Sequence, residues 1–137
     1  MDQGIHRFSY WIAPHDETWK QANTPQRAAE CNQPPLILSA SSNEHGTLPQ
    51  ENSFAEVGAE NVMMTVVKRA EDPAIDAYVV RLHETTNKTT TTEIRIGDRV
   101  EQVTLKPNSL KSLIVPFDAK TPVFETDAME ISRIAFE

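Results

Sequence analysis

Val62-Met63-Met64-Thr65-Val66-Val67 is a largely apolar run of β-branched and methionine side chains that ends at Lys68-Arg69. A run of this length and composition is typical of a strand that is buried on both faces. We therefore expect it to be a central strand of a sheet. The stretch from Ala77 to Leu82 follows the turn signal Glu71-Asp72-Pro73, and it predicts a neighbouring strand.

Turn residues divide the rest of the chain into further short strands, with no helix longer than two turns. About seven or eight strands of this kind predict an all-β fold, an antiparallel β-sandwich. We expect the sandwich to span residues 5–117, and residues 118–137 to be a C-terminal extension that could add a strand. The remaining candidate strands are Phe8–Ala13, Leu36–Leu38, Thr89–Ile96, Val100–Leu105, Leu110–Val115 and a weaker Met129–Phe136.

Composition limits the classes of partner and compartment. A chain of 137 residues with a net charge of −7 fits one domain and disfavours nucleic acid and anionic membrane surfaces. The chain has no apolar run long enough to span a membrane and no signal-peptide pattern in its first residues. The single Cys31 cannot form an internal disulfide. We therefore expect a cytoplasmic chain without nucleic-acid or membrane partners.

The residues that usually carry chemistry are scattered. The four histidines lack metal-ligand spacing, and the acidic pairs lie beside turns, where solvation explains them. We therefore expect no catalytic residue, metal site or cofactor in this chain. Arg81 and Glu84 form either an ion pair or a substrate contact. The aromatic residues Tyr10, Trp11, Trp19 and Tyr78 form either a sugar-stacking platform or part of the core.

Five segments between residues 5 and 115 together resemble the C-terminal β-domain of the α-mannosidases of glycoside hydrolase family 38. Each motif is weak alone, but their shared order is specific, and the resemblance ends after Phe117. The segments are Phe8–His15 followed by Trp19 (family pattern Y-x-(L/I)-x-P-H…W), Ala28–Pro34 (A…N-x-P), Ser53–Asp72 (S-F…V…E-N-V-V-L-T-A-L-K-K-A-E-D), Val80–Thr85 (V-L-R-L-Y-E) and Val103–Leu113 (V-x-L-K-P-(F/Y)-E-I-K-T-L).

The resemblance implies that a parent enzyme hydrolyses α-mannosides with retention, using zinc and an Asp nucleophile in a separate N-terminal domain. None of those residues matches this chain, so we expect the isolated chain to be inactive. We expect it to pack on the catalytic and central domains of such an enzyme, and to self-associate when isolated. The alternatives are a free-standing carbohydrate-binding module and a protein-interaction domain. Candidate contacts with substrate or with another domain are His15, Trp19, Arg81 and Glu84.

Overall fold

The computed structural model describes residues 3–41, 45–130 and 133–134, with β8 described by its backbone alone. It contains one short helix and eight strands. Their bounds are α1 Thr24–Asn32, β1 Ala55–Val57, β2 Val62–Arg69, β3 Ala77–Glu84, β4 Thr90–Ile96, β5 Arg99–Leu105, β6 Leu110–Pro116, β7 Phe124–Thr126 and β8 Arg133–Ile134.

The strands form two antiparallel sheets. The smaller sheet has the order β1-β4-β5 and the larger the order β2-β3-β6-β7-β8. Three short connections, residues 58–61, 85–89 and 106–109, carry the chain from one sheet to the other. Because these connections are short, β1 lies over β2, β4 over β3 and β5 over β6. The predicted all-β antiparallel sandwich is confirmed.

The main core lies between the two sheets. Alternate residues of β3, β4, β5 and β6 point into it, as the two-residue period of a strand requires. Strand β3 is also covered on its outer side, where Val79 packs with Ala77 and Ile114. The buried residues of the main core are Val62, Val80, Leu82, Ile94, Ile96, Val103, Leu105, Leu113 and Val115.

The prediction that Val62–Val67 forms a central strand is wrong. Among the described residues β2 pairs only with β3, so it is an edge strand of the larger sheet. Val66 is half-buried, whereas Val79 and Val80 on neighbouring β3 are fully buried on opposite faces. The central position belongs to β3 because β2 on one side and β6 on the other both pair with it.

The N-terminal third of the chain lies outside the sheets. Phe8–Ala13 and Leu36–Leu38, both predicted as strands, belong to no strand of the structure. Their side chains suit a strand, but a strand also needs a partner to receive its backbone hydrogen bonds. Of the predicted Met129–Phe136 strand, residues 133–134 form β8, and residues 131–132 and 135–136 lie outside the described part.

Candidate functional site

Glu84 ends β3 with a fully buried carboxylate. Its Oε1 atom accepts hydrogen bonds from Asn61 Nδ2, the Thr86 amide and the Thr86 hydroxyl, each at 2.8 Å. Its Oε2 atom accepts from the backbone amides of Asn108 at 2.8 Å and Lys88 at 3.1 Å. These donors come from all three connections between the sheets, so one side chain joins the three crossings at this end of the sandwich.

The charge of Glu84 is stabilised by these hydrogen bonds. Burial alone would raise the pKa of a carboxyl group, because it penalises the charged form. Here the hydrogen bonds from Asn108, Thr86 and Asn61 outweigh burial and hold the pKa of Glu84 far below its usual range. The five protein donors occupy both oxygens of this fully buried carboxylate and tie their backbone segments to the end of β3.

Arg81 lies on the opposite face of β3 from Glu84, because residues three apart on a strand point to opposite sides. Its Nη2 atom donates to Ala128 O at 2.7 Å and lies 3.3 Å from the Glu130 carboxylate, which also binds Lys68 at 2.8 Å. Burial opposes ionisation of Glu130, but the hydrogen bonds from Lys68 and the Glu71 amide lower its pKa. The pairing of Arg81 with Glu84, one of two interpretations of the sequence, is therefore replaced by an ion pair with Glu130.

Sequence reasoning missed Glu130. Its backbone φ is 62°, which is unusual for a residue other than glycine or asparagine. Its carboxylate is 7% exposed and fastens the turn after β7 over the outer face of the larger sheet. No local motif marks this position, since both cationic partners lie about 50–60 residues earlier in the chain.

His15 and Trp19 lie in a surface turn that leads into α1. His15 Nδ1 lies 2.6 Å from Glu17 O, within the turn. Trp19 is 47% exposed. The neighbouring Lys20 donates to Thr86 O at 2.6 Å, and Ala22 is buried, so this turn is held on the sandwich near the Glu84 network.

Large apolar side chains before β1 are unusually exposed. Leu36, Ile37 and Leu38 are 80–88% exposed, and Trp11 is 75% exposed. An isolated exposed leucine is ordinary on a protein surface, but a continuous apolar stretch marks an interaction surface. We call Trp19 together with Leu36–Leu38 the docking segment.

The four aromatic residues proposed as a platform separate into different places. Tyr10 and Trp11 line a pocket of about 320 Å³ beside α1. Tyr78 lines another of about 650 Å³, with its ring centroid 5.3 Å from that of Phe54 and 4.6 Å from that of Phe117. Trp19 lines neither of these two pockets. A single stacking platform of all four rings is therefore not formed.

Neither a metal-binding cluster nor a membrane-spanning helix is found in the described part of the chain. In residues 3–41, 45–130 and 133–134, His, Cys, Asp and Glu side chains form no group of three or more that could hold a metal ion. The helix found in this described part of the chain is neither long nor apolar enough to cross a membrane.

The two sheets define an antiparallel β-sandwich domain. Its buried charged residue, Glu84, is hydrogen-bonded to the three connections between the sheets. The model of the glycosyl hydrolases family 38 C-terminal beta sandwich domain matches residues 61–132, just over half of the chain. The chain therefore belongs to this family of accessory domains, and the resemblance found in the sequence is confirmed from residue 61 onward. The match continues past Phe117, where the resemblance was expected to end, and it does not include the segments Phe8–His15 and Ala28–Pro34. Searches of the curated proteins and of the solved structures each found no match.

Proposed function

We propose that this chain is the accessory C-terminal sandwich of an α-mannosidase-like enzyme and packs on the enzyme's catalytic and central regions. Hydrolysis of α-mannosides, with zinc and an Asp nucleophile, is what the family resemblance implies for a separate domain. In this proposal the chain supplies no catalytic residue, metal ligand or cofactor. We place it in the cytoplasm, because its exposed Cys31 is a free thiol, which suits a reducing compartment.

The observation that supports docking is the docking segment. Ile37 is 88% exposed between two similarly exposed leucines, and Trp19 presents half of its ring to solvent. Fully burying each such side chain contributes roughly 1.5–3 kcal/mol. A segment that exposes this much apolar area gains stability when another domain covers it.

The proposal is tested by measuring binding of the chain to the catalytic and central regions of a family 38 α-mannosidase that lacks its own sandwich. We expect Trp19→Ala and Ile37→Asp each to weaken binding at least tenfold without lowering the unfolding temperature. Leu110→Asp is the control, because Leu110 is 72% exposed on β6 and lies outside the docking segment. Absent binding, or binding insensitive to both variants, contradicts the proposal.

The same purified chain tests the proposal that it supplies no catalytic residue. The pure chain, with added zinc, is expected to release no product from an aryl α-mannoside, since its described residues gather no metal-ligand cluster. Zinc-dependent turnover that copurifies with the chain and disappears in an unfolded variant would contradict this part of the proposal.

Carbohydrate binding is the second candidate function. It is supported by Tyr10 and Trp11, whose exposed rings line the pocket beside α1 with His15 and Arg27 as polar neighbours. Aromatic rings next to hydrogen-bonding groups suit a sugar. Titration with manno-oligosaccharides, followed by tryptophan fluorescence in the wild type and in Trp11→Ala, separates this function from docking alone.

A further inference from the structure

The smaller sheet ends in a strand edge with little protection against pairing. Among the described residues β5 pairs only with β4, and its seven residues contain no proline, lysine or register shift. Arg99 pairs with Glu101 at 2.9 Å and also donates to the backbone carbonyls of Pro116, Asp118 and Thr121, so the segment after β6 lies beside the first residue of β5. Val100 on its outer face is 50% exposed.

Strand β2, one edge of the larger sheet, differs from β5. It has a register shift between Met64 and Val66 and ends in Lys68 and Arg69. Bulges and lysines are devices by which natural sheets block edge pairing. The other two edge strands of the described residues, β1 and β8, have only three and two residues. Among the edge strands, β5 is therefore the best template for an added strand.

The two sheets also differ in width next to β5. Since β5 lies over β6, strands β7 and β8 have no facing strand in the described part of the chain. The inner surface of β7 contains half-buried Val123 and the ion pair of Lys111 with Glu125 at 2.8 Å, whose side chains are 16% and 21% exposed. One strand added beside β5 would lie over β7 and extend the main core.

The chain itself carries a segment of matching length that forms no strand among the described residues. His6–Ile12, which we call the arm, has seven residues and belongs to no helix or strand. Within residues 3–17 no backbone-to-backbone hydrogen bond is formed among the described residues. Phe8, Tyr10 and Ile12 share one face of the arm and are 77–84% exposed. This alternation suits a strand with one buried face.

We propose that the arm of one copy adds as a strand to the β5 edge of a second copy, and that two copies exchange arms reciprocally. Reciprocal exchange closes the assembly, as a twofold interface does. Two aromatic rings and an isoleucine would bury roughly 400 Å² per arm. With the area lost by the acceptor edges, the interface reaches about 1,600 Å², the size of a standard stable interface. This assembly uses the arm and β5, and so goes beyond the docking function.

Proline substitution in the arm tests the pairing. Among the described residues the backbone amides of Ser9 and Tyr10 have no backbone partner, so Ser9→Pro and Tyr10→Pro should leave the unfolding temperature of the single chain unchanged. In an added strand these two amides point to opposite sides. We expect sedimentation velocity to show a wild-type dimer that one of the two prolines weakens at least tenfold, while Ser9→Ala and Tyr10→Ala weaken it less. A monomeric wild type, or a dimer that neither proline weakens, overturns the proposal.

Cysteine pairs identify which copy provides the arm. In a Cys31→Ser background, Ser9→Cys is combined in turn with Val100→Cys, Gln102→Cys and Thr104→Cys, on the outer face of β5. Under mild oxidation we expect at least one pair to give a disulfide-linked dimer, with Ser9→Cys alone as the control. A disulfide within one chain, or no pair that exceeds the control, overturns the second copy as the occupant.

Discussion

Replacing Glu84 by glutamine measures how much the three sheet crossings depend on one carboxylate. Glutamine has nearly the same shape, but its NH₂ group must replace one accepting oxygen. If NH₂ takes the Oε2 position, the amides of Lys88 and Asn108 lose their acceptor; in the other orientation, three donors from Asn61 and Thr86 lose theirs. Each unsatisfied buried donor costs about 1–3 kcal/mol, so Glu84→Gln should lower the free energy of unfolding by about 2–6 kcal/mol.

The assay is urea and thermal unfolding at pH 7, with Glu93→Gln as the matched control. Glu93 lies on β4 and is exposed, so its substitution should change stability by less than about 0.5 kcal/mol. Glu84→Gln should lower the unfolding temperature by roughly 6 °C or more. If both variants unfold within about 1 °C of the wild type, the carboxylate does not hold the crossings together.

The pH dependence of the same variant gives a second measurement. Although burial opposes ionisation, hydrogen bonds lower the pKa of Glu84 in the folded state, whereas its pKa in the unfolded state is about 4.3. Its stabilisation is therefore complete above that pH and is lost as the pH falls towards the folded-state pKa. The difference in stability between wild type and Glu84→Gln should thus be constant from about pH 6 to 8 and shrink below about pH 4.

Two further predictions follow from the positions of β3 and of the crossing turns. Val80→Asp should lower the free energy of unfolding by more than about 3 kcal/mol or prevent folding, because Val80 is fully buried on central β3. Val66→Asp, on edge strand β2, should lower it by less than half as much. Urea midpoints compare the two variants, and equal losses would contradict the strand order. Asn108 has a φ of 51°, a left-handed conformation that glycine adopts easily and valine does not. Asn108→Val should therefore lower the free energy of unfolding by about 1–2 kcal/mol more than Asn108→Gly, as thermal unfolding can measure. A valine variant that is the more stable of the two would contradict this backbone conformation.

The strands from β3 to β6 are predictable because each combines apolar residues with clear turn signals. The position of β2 is not, because an apolar run shows which residues avoid water without showing which strands lie on either side. The strand order depends on pairings between distant residues, such as Val80 with Leu113. The arm is a different case. Its alternation predicts a strand, but in the part of the chain that the structure describes no other strand pairs with it.

Glu84 is predicted from the sequence as a candidate site residue, but its place in the structure depends on donors from distant parts of the chain that meet at its carboxylate. The donors Asn61 and Asn108 are separated from it by 23 and 24 residues. Each lies in an ordinary turn, and nothing in either turn indicates that both point to the same carboxylate. The role of Glu130 is harder still to predict from the sequence, because its ion pairs with Lys68 and Arg81 require β2 and β3 to be paired first.

The convergence of three crossings on Glu84 also bears on the order of events in folding. Hairpins such as β2–β3 and β4–β5 are local and can form early, whereas the Glu84 network needs distant segments already in place. Contacts made after the rate-limiting barrier affect mainly the rate of unfolding. The hydrogen bonds of the buried carboxylate are therefore expected to form after the folding transition state. Weakening them should increase the rate of unfolding and leave the rate of folding nearly unchanged.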